Sequence, residues 1–107
     1  MSKILLANIN EININDMKQV SVDDYNYLVA NVNGEIFVTD DLCTHEDAEL
    51  TMGCLKGNTV KCPLHGSYFN LKTGEALNEP ADEPIETHEV ILEDGQIYIS
   101  SSEDNLE

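Results

Sequence analysis

Arginine is absent from the sequence, and five lysines face 21 aspartates and glutamates, a formal net charge of -16 with histidine neutral. A chain so short of cations lacks the basic footprint that phosphate binding needs, which argues against nucleic acid as a partner. The same acidity repels anionic lipid headgroups. Tryptophan is also absent and aromatic residues make up only 6%, so a core in 107 residues must be assembled mostly from Ile, Leu and Val. That length suits one small domain and leaves no room for a second, cofactor-binding one. Long apolar runs are missing too. No stretch reaches the ~18 residues of a membrane span, and the apolar start MSKILLANIN breaks at Asn8, short of a secretory leader. No membrane association and a cytoplasmic location are expected.

No segment of ten or more residues carries helical apolar periodicity, whereas short β-type runs separated by turn residues recur, which predicts an all-β chain. Opening strands are expected at 3–7 and 17–22. Strands at 27–32 and 35–39 flank Asn33-Gly34, a two-residue hairpin signal because both central positions need positive φ. A second hairpin, 88–92 with 96–100 around Asp94-Gly95, offers Val90, Leu92, Ile97 and Ile99 as core residues by alternation. Between these hairpins the stretch 41–84 has a different character. It holds all three cysteines, all three prolines and four of the six glycines, and reads as an inserted, loop-rich subdomain. Turns are expected at Lys56-Gly57-Asn58 and Lys72-Thr73-Gly74, and a helical turn within 47–52. The polar tail 100–107 has little to bury.

Three cysteines make no complete set of disulfide pairs, and two of them lie beside histidines. Cys43-Thr44-His45 and Cys62-Pro63-Leu64-His65 form C-x-H and C-x-x-H motifs with sixteen residues between them, each supplying one sulfur and one nitrogen. Such a set serves tetrahedral zinc, an iron-sulfur centre, or no metal at all. A single residue between Cys43 and His45 is tight for both to meet one zinc ion, and a dinuclear centre relaxes that constraint. Cys54 has no histidine neighbour and reads as a small, partly buried hydrophobe, and His88 as an exposed strand residue.

The motifs C-T-H and C-P-L-H-G-S resemble the paired cluster-binding loops of the Rieske family. The similarity extends over 43–80, where Leu50, Gly53, Leu55-Lys56-Gly57, Val60, Phe69 and Thr73-Gly74 match residues of ferredoxins from aromatic-ring dioxygenase systems. The resemblance implies a Rieske fold, an antiparallel β base domain (1–40 and 85–107) carrying an inserted cluster-binding subdomain (41–84). It also implies one 2Fe-2S cluster held by Cys43, His45, Cys62 and His65, with both cysteines on one iron and both histidines on the other. In high-potential relatives each loop adds a cysteine, and a disulfide joins the two; Ala48 and Leu64 stand at those positions here. Phe69 replaces their tyrosine, while Ser67 matches the hydroxyl that follows their H-G. The lower half of the Rieske range is therefore expected.

A Gly-rich dinucleotide fingerprint is missing, so electrons must arrive singly from another protein. Only His88 remains once the cluster is served, too few histidines for a 2-His-1-carboxylate oxygenase site. The family resemblance implies a non-enzymatic shuttle from a flavoprotein reductase to a terminal oxygenase. Two other classes stay open from the residues alone: a small subunit of a reductase of the nitrite-assimilating type, and a zinc-stabilised interaction module. Acidic residues crowd the first loop at Asp40, Asp41, Glu46, Asp47 and Glu49, which predicts partners with basic docking surfaces.

Overall fold

The computed structural model describes residues 3–42, 49–63, 66–78 and 83–100. Among them it forms three antiparallel sheets. The first orders β1 (Lys3–Asn8), β10 (Gln96–Ser100) and β9 (Val90–Glu93) with β10 in the middle. The second runs β2 (Asp16–Val22), β3 (Tyr25–Val32), β4 (Glu35–Asp40) and β8 (Thr87–His88). The third joins β5 (Cys54–Lys56), β6 (Thr59–Lys61) and β7 (Tyr68–Asn70). Two short 3₁₀ turns, Ile9–Glu11 and Leu50–Met52, complete the described elements.

Turn chemistry accounts for the hairpins. Asn33 and Gly34 take φ of +54° and +95°, and Asp94 and Gly95 take +52° and +78°, as two-residue hairpin turns require. The β2–β3 turn uses Asp23 and Asp24 at +52° and +67°. Its residues give little warning of it, because aspartate enters the left-handed region less readily than glycine or asparagine at such turns. The expected strand at 88–92 is in fact two short strands. His88 pairs with Val38 of β4, while Val90 pairs with Ile99 of β10, so the chain changes sheets at Glu89. Alternation shows which residues share a face but not which sheet they join. Leu92, expected in the core, is correspondingly half exposed near the β9–β10 turn.

Strand β3 explains how one domain supports two cores. Its successive side chains point to opposite faces, and both faces are covered. Tyr27 and Val29 join Leu6, Ile12, Ile36, Val38, Ile97 and Ile99 in a core against the first sheet. Leu28 and Ala30 face the other way, into a core with Leu50, Val60, Cys62, Phe69, Leu71 and Ile85. The second sheet is thus the middle layer, and the third sheet is fastened to it through the second core. A β-bulge in β1 pairs Leu5 with Tyr98 and Ala7 with Ile97, leaving Leu6 as the extra residue, and so lets both Leu6 and Ala7 be buried. No helix among the described residues is long and apolar enough to cross a membrane.

Candidate metal centre

Of the four sequence-predicted ligands, the structure places Cys62; Cys43, His45 and His65 lie outside the described residues, as do Ala48 and Leu64. Cys62 follows β6 directly and is buried in the second core among Leu50, Val60 and Phe69. Its backbone N–H donates to the carbonyl of Ser67 at 2.7 Å, which pins together the two ends of the stretch 63–66. Gly66, at φ +77°, supplies a left-handed position just before Ser67. Ser67 is fully buried, and so is Phe69.

The first motif segment, 43–48, is clamped at both flanks. Leu42 and Glu49 form an antiparallel bridge, and the Leu50 N–H donates to the Asp41 carbonyl at 2.8 Å. The Asp41 side chain adds three bonds. One oxygen accepts the Thr51 N–H at 2.8 Å, and the other accepts Gln19 Nε2 at 2.6 Å and the Thr51 hydroxyl at 2.9 Å. Burial pushes the Asp41 carboxyl up from its ordinary range, and these three donors oppose the rise. The sequence pattern puts Asp41 among the acidic residues of a docking surface; it is instead an internal strut, 1% exposed.

The feet of the two motif segments meet at Gly53. A Cβ there would stand 1.8 Å from the Lys61 carbonyl oxygen and 3.2 Å from the Pro63 nitrogen, so only a residue without a side chain admits this approach. Cys54, next in sequence, pairs with Lys61, the residue before Cys62. The donor set fits a two-iron, two-sulfide group. Two thiolates and two imidazoles are carried in sulfur–nitrogen pairs on two segments whose anchor points converge, and the placed thiol is shielded from water. Cys54 is exposed rather than partly buried, because it points outward from the end strand of the third sheet.

Beside the first segment, Asp40 lies in a polar cluster that sequence reading missed. Its Oδ1 accepts the Tyr25 hydroxyl at 2.7 Å and stands 2.9 Å from His88 Nε2. Tyr27 packs edge-on against the His88 ring at 5.1 Å between centroids. His88, expected to be exposed, has only 13% of its side-chain surface accessible, because β8 lies alongside β4. Burial first, and then the bond to Asp40, push the Tyr25 hydroxyl well above its ordinary range. Asp24, Tyr25, Asn26, Asp40, Asp41, Leu42 and Glu49 line a shallow cavity of about 280 Å³ on this side. Near the second segment, by contrast, the Lys61 side chain runs past Gly66 with its ammonium 6.0 Å from the Tyr68 ring.

Comparison with known proteins gives a consistent picture. The model of the Rieske [2Fe-2S] domain matches residues 2–89. The 3-phenylpropionate/cinnamic acid dioxygenase ferredoxin subunit of Photorhabdus laumondii is 37% identical over 105 residues, which is 97% of this chain and 99% of that one. The solved structure of the Sphingomonas yanoikuyae B1 ferredoxin superposes with a TM-score of 0.89 at 38% identity, covering 94% and 99% of the two chains. A chain from the complex of reduced oxygenase and oxidized ferredoxin in carbazole 1,9a-dioxygenase superposes at 0.86 with 28% identity, covering 92% of each.

Proposed function

From its membership of the Rieske [2Fe-2S] domain family, to which this chain belongs, we infer how it carries electrons and between which kinds of partner. The chain is a Rieske ferredoxin component of a dioxygenase system, an electron-transfer protein and not itself the catalyst, with one 2Fe-2S cluster as cofactor. The observation that carries this reading is the end-to-end match to a chain named as a ferredoxin subunit.

Cys43 and Cys62 hold one iron and His45 and His65 the other, with 41–84 acting as the cluster-binding unit and 1–40 with 85–107 as the base. When bound, the cluster supplies reversible one-electron chemistry at a potential above that of all-cysteine ferredoxins. Burial of Cys62 supports this assignment, because an iron–thiolate bond formed there would be protected from hydrolysis and its sulfur from stray oxidation. The electron donor is a flavoprotein reductase and the acceptor a terminal oxygenase; the oxygenase–ferredoxin complex of carbazole 1,9a-dioxygenase supports the second partner. Both dock around the tip through basic surfaces, in the cytoplasm.

Steering by charge gives this reading a direct test. Glu49 is exposed beside the first segment, and the net charge is -16. Raising ionic strength from ~10 to ~150 mM shortens the screening length from about 30 to about 8 Å, and the second-order rate of electron transfer from the reductase should fall severalfold. Glu46→Lys with Asp47→Lys should slow it likewise without moving the reduction potential. A rate indifferent to both treatments, measured by stopped-flow, would make the acidity a matter of solubility alone.

A further inference from the structure

The Asp41 carboxylate is buried, unlike its exposed neighbour Glu49, and its surroundings assign it a task inside the fold. Resting on the ligand reading above, we propose that Asp41 is a positioning residue of the redox centre: it fixes both flanks of the first ligand segment and holds the reduction potential down.

Three separate stretches of chain converge on this one residue. Its backbone N–H donates to the Asn26 carbonyl on β3 at 3.2 Å, and its carbonyl accepts the Leu50 N–H at 2.8 Å. Its carboxylate reaches Gln19 on β2 and both the backbone N–H and hydroxyl of Thr51. Asp41 itself precedes the 43–48 segment, while Leu50 and Thr51 follow it. One residue therefore ties the departure and the return of that segment to the middle sheet.

The charge follows from the same bonds. The Thr51 N–H can only donate, and the Gln19 amide and Thr51 hydroxyl are placed as donors too, so three donors aim at the two carboxylate oxygens against the cost of burial, the arrangement that suits the ionised form. No described lysine forms an ion pair with it. Consecutive Cα atoms are about 3.8 Å apart, so Asp41 and Cys43 are separated by at most about 7.6 Å at their Cα atoms. With both thiolates ionised and both imidazoles neutral, the oxidised centre is neutral and the reduced one carries one negative charge. At an effective dielectric constant of about 20, a fixed negative charge roughly 9–17 Å from the added electron opposes it by about fivefold to twentyfold in the reduction equilibrium.

The test compares wild type, Asp41→Asn and Thr51→Val by redox titration of the loaded proteins, with iron and sulfide analysis alongside. Asp41→Asn keeps the shape and an acceptor but removes the charge. It should retain the cluster and raise the midpoint potential by that factor, a tenfold change being about 59 mV for one electron. Thr51→Val leaves the charge and removes one donor that tempers it, so its potential should fall by a smaller factor. If Asp41→Asn fails to load, the Thr51→Val shift decides alone. A potential unmoved or lowered in Asp41→Asn, or unmoved or raised in Thr51→Val, overturns the proposal. A wild-type protein without a mixed histidine–cysteine cluster would instead sink the ligand reading on which it rests.

Discussion

His65→Ala and His45→Ala should each yield a chain that no longer retains a 2Fe-2S cluster, whereas Cys54→Ser should retain iron and sulfide at the wild-type level. The histidines are the cleaner test of the ligand set. Cys62 sits in the second core, so Cys62→Ser would remove a proposed ligand and also bury a hydroxyl where a thiol had been, mixing two costs. Cys54 carries no such ambiguity. It is exposed and unbonded to another cysteine among the described residues, and it belongs to the outer strand β5. Iron and acid-labile sulfide analysis of the three purified variants reads the outcome. Loss of the cluster in Cys54→Ser, or its survival in either histidine variant, would show that the ligands have been assigned wrongly.

The second large effect is expected at Gly53, for a reason unrelated to ligation. An added Cβ would stand 1.8 Å from the Lys61 carbonyl oxygen, 3.0 Å from its carbon and 3.2 Å from the Pro63 nitrogen. All three obstacles are backbone, and none can swing aside as a long side chain would. Gly53→Ala must therefore push the two motif-bearing stretches apart, against the β5–β6 pairing of Cys54 with Lys61. Overpacking of this kind costs ~1–3 kcal/mol and occasionally more, which for a domain of about 100 residues lowers the melting temperature by roughly 5–20 °C. Cluster retention should fall with it, since the displaced carbonyl belongs to the residue before Cys62. Thermal unfolding of the variant beside wild type measures the cost, and a loss under about 2 °C would mean that the two stretches are not held this close at Gly53.

Much of the chemistry is legible in the residues themselves, and the reason lies in local spacing. Asn33-Gly34 and Asp94-Gly95 determine their own turns whatever surrounds them, and both take the positive φ pair that the residue types demand. The two Cys–His motifs are likewise local, so their donor chemistry can be read from a few residues. What escapes is non-local. The division of 87–93 between two sheets depends on which strand edges are free, and no periodicity in those residues encodes that. Asp41 looks like one more surface acid along the chain, yet it is buried because Gln19 and Thr51 reach it from elements 22 and 10 residues away. His88 reads as an exposed strand residue for the same reason: its partners Asp40 and Tyr27 lie far off in sequence. Charge along a chain says little about which carboxylates face water until the pairing of strands is known.

The central claim, that this chain carries electrons on a mixed histidine–cysteine 2Fe-2S cluster, is tested most directly by metal and sulfide analysis of the purified protein together with EPR of its reduced form. About two iron and two sulfide per chain are expected, with the spectrum of a Rieske-type centre that disappears and returns with reoxidation and reduction. Stoichiometric zinc in a colourless protein, or a spectrum belonging to an all-cysteine cluster, would contradict it.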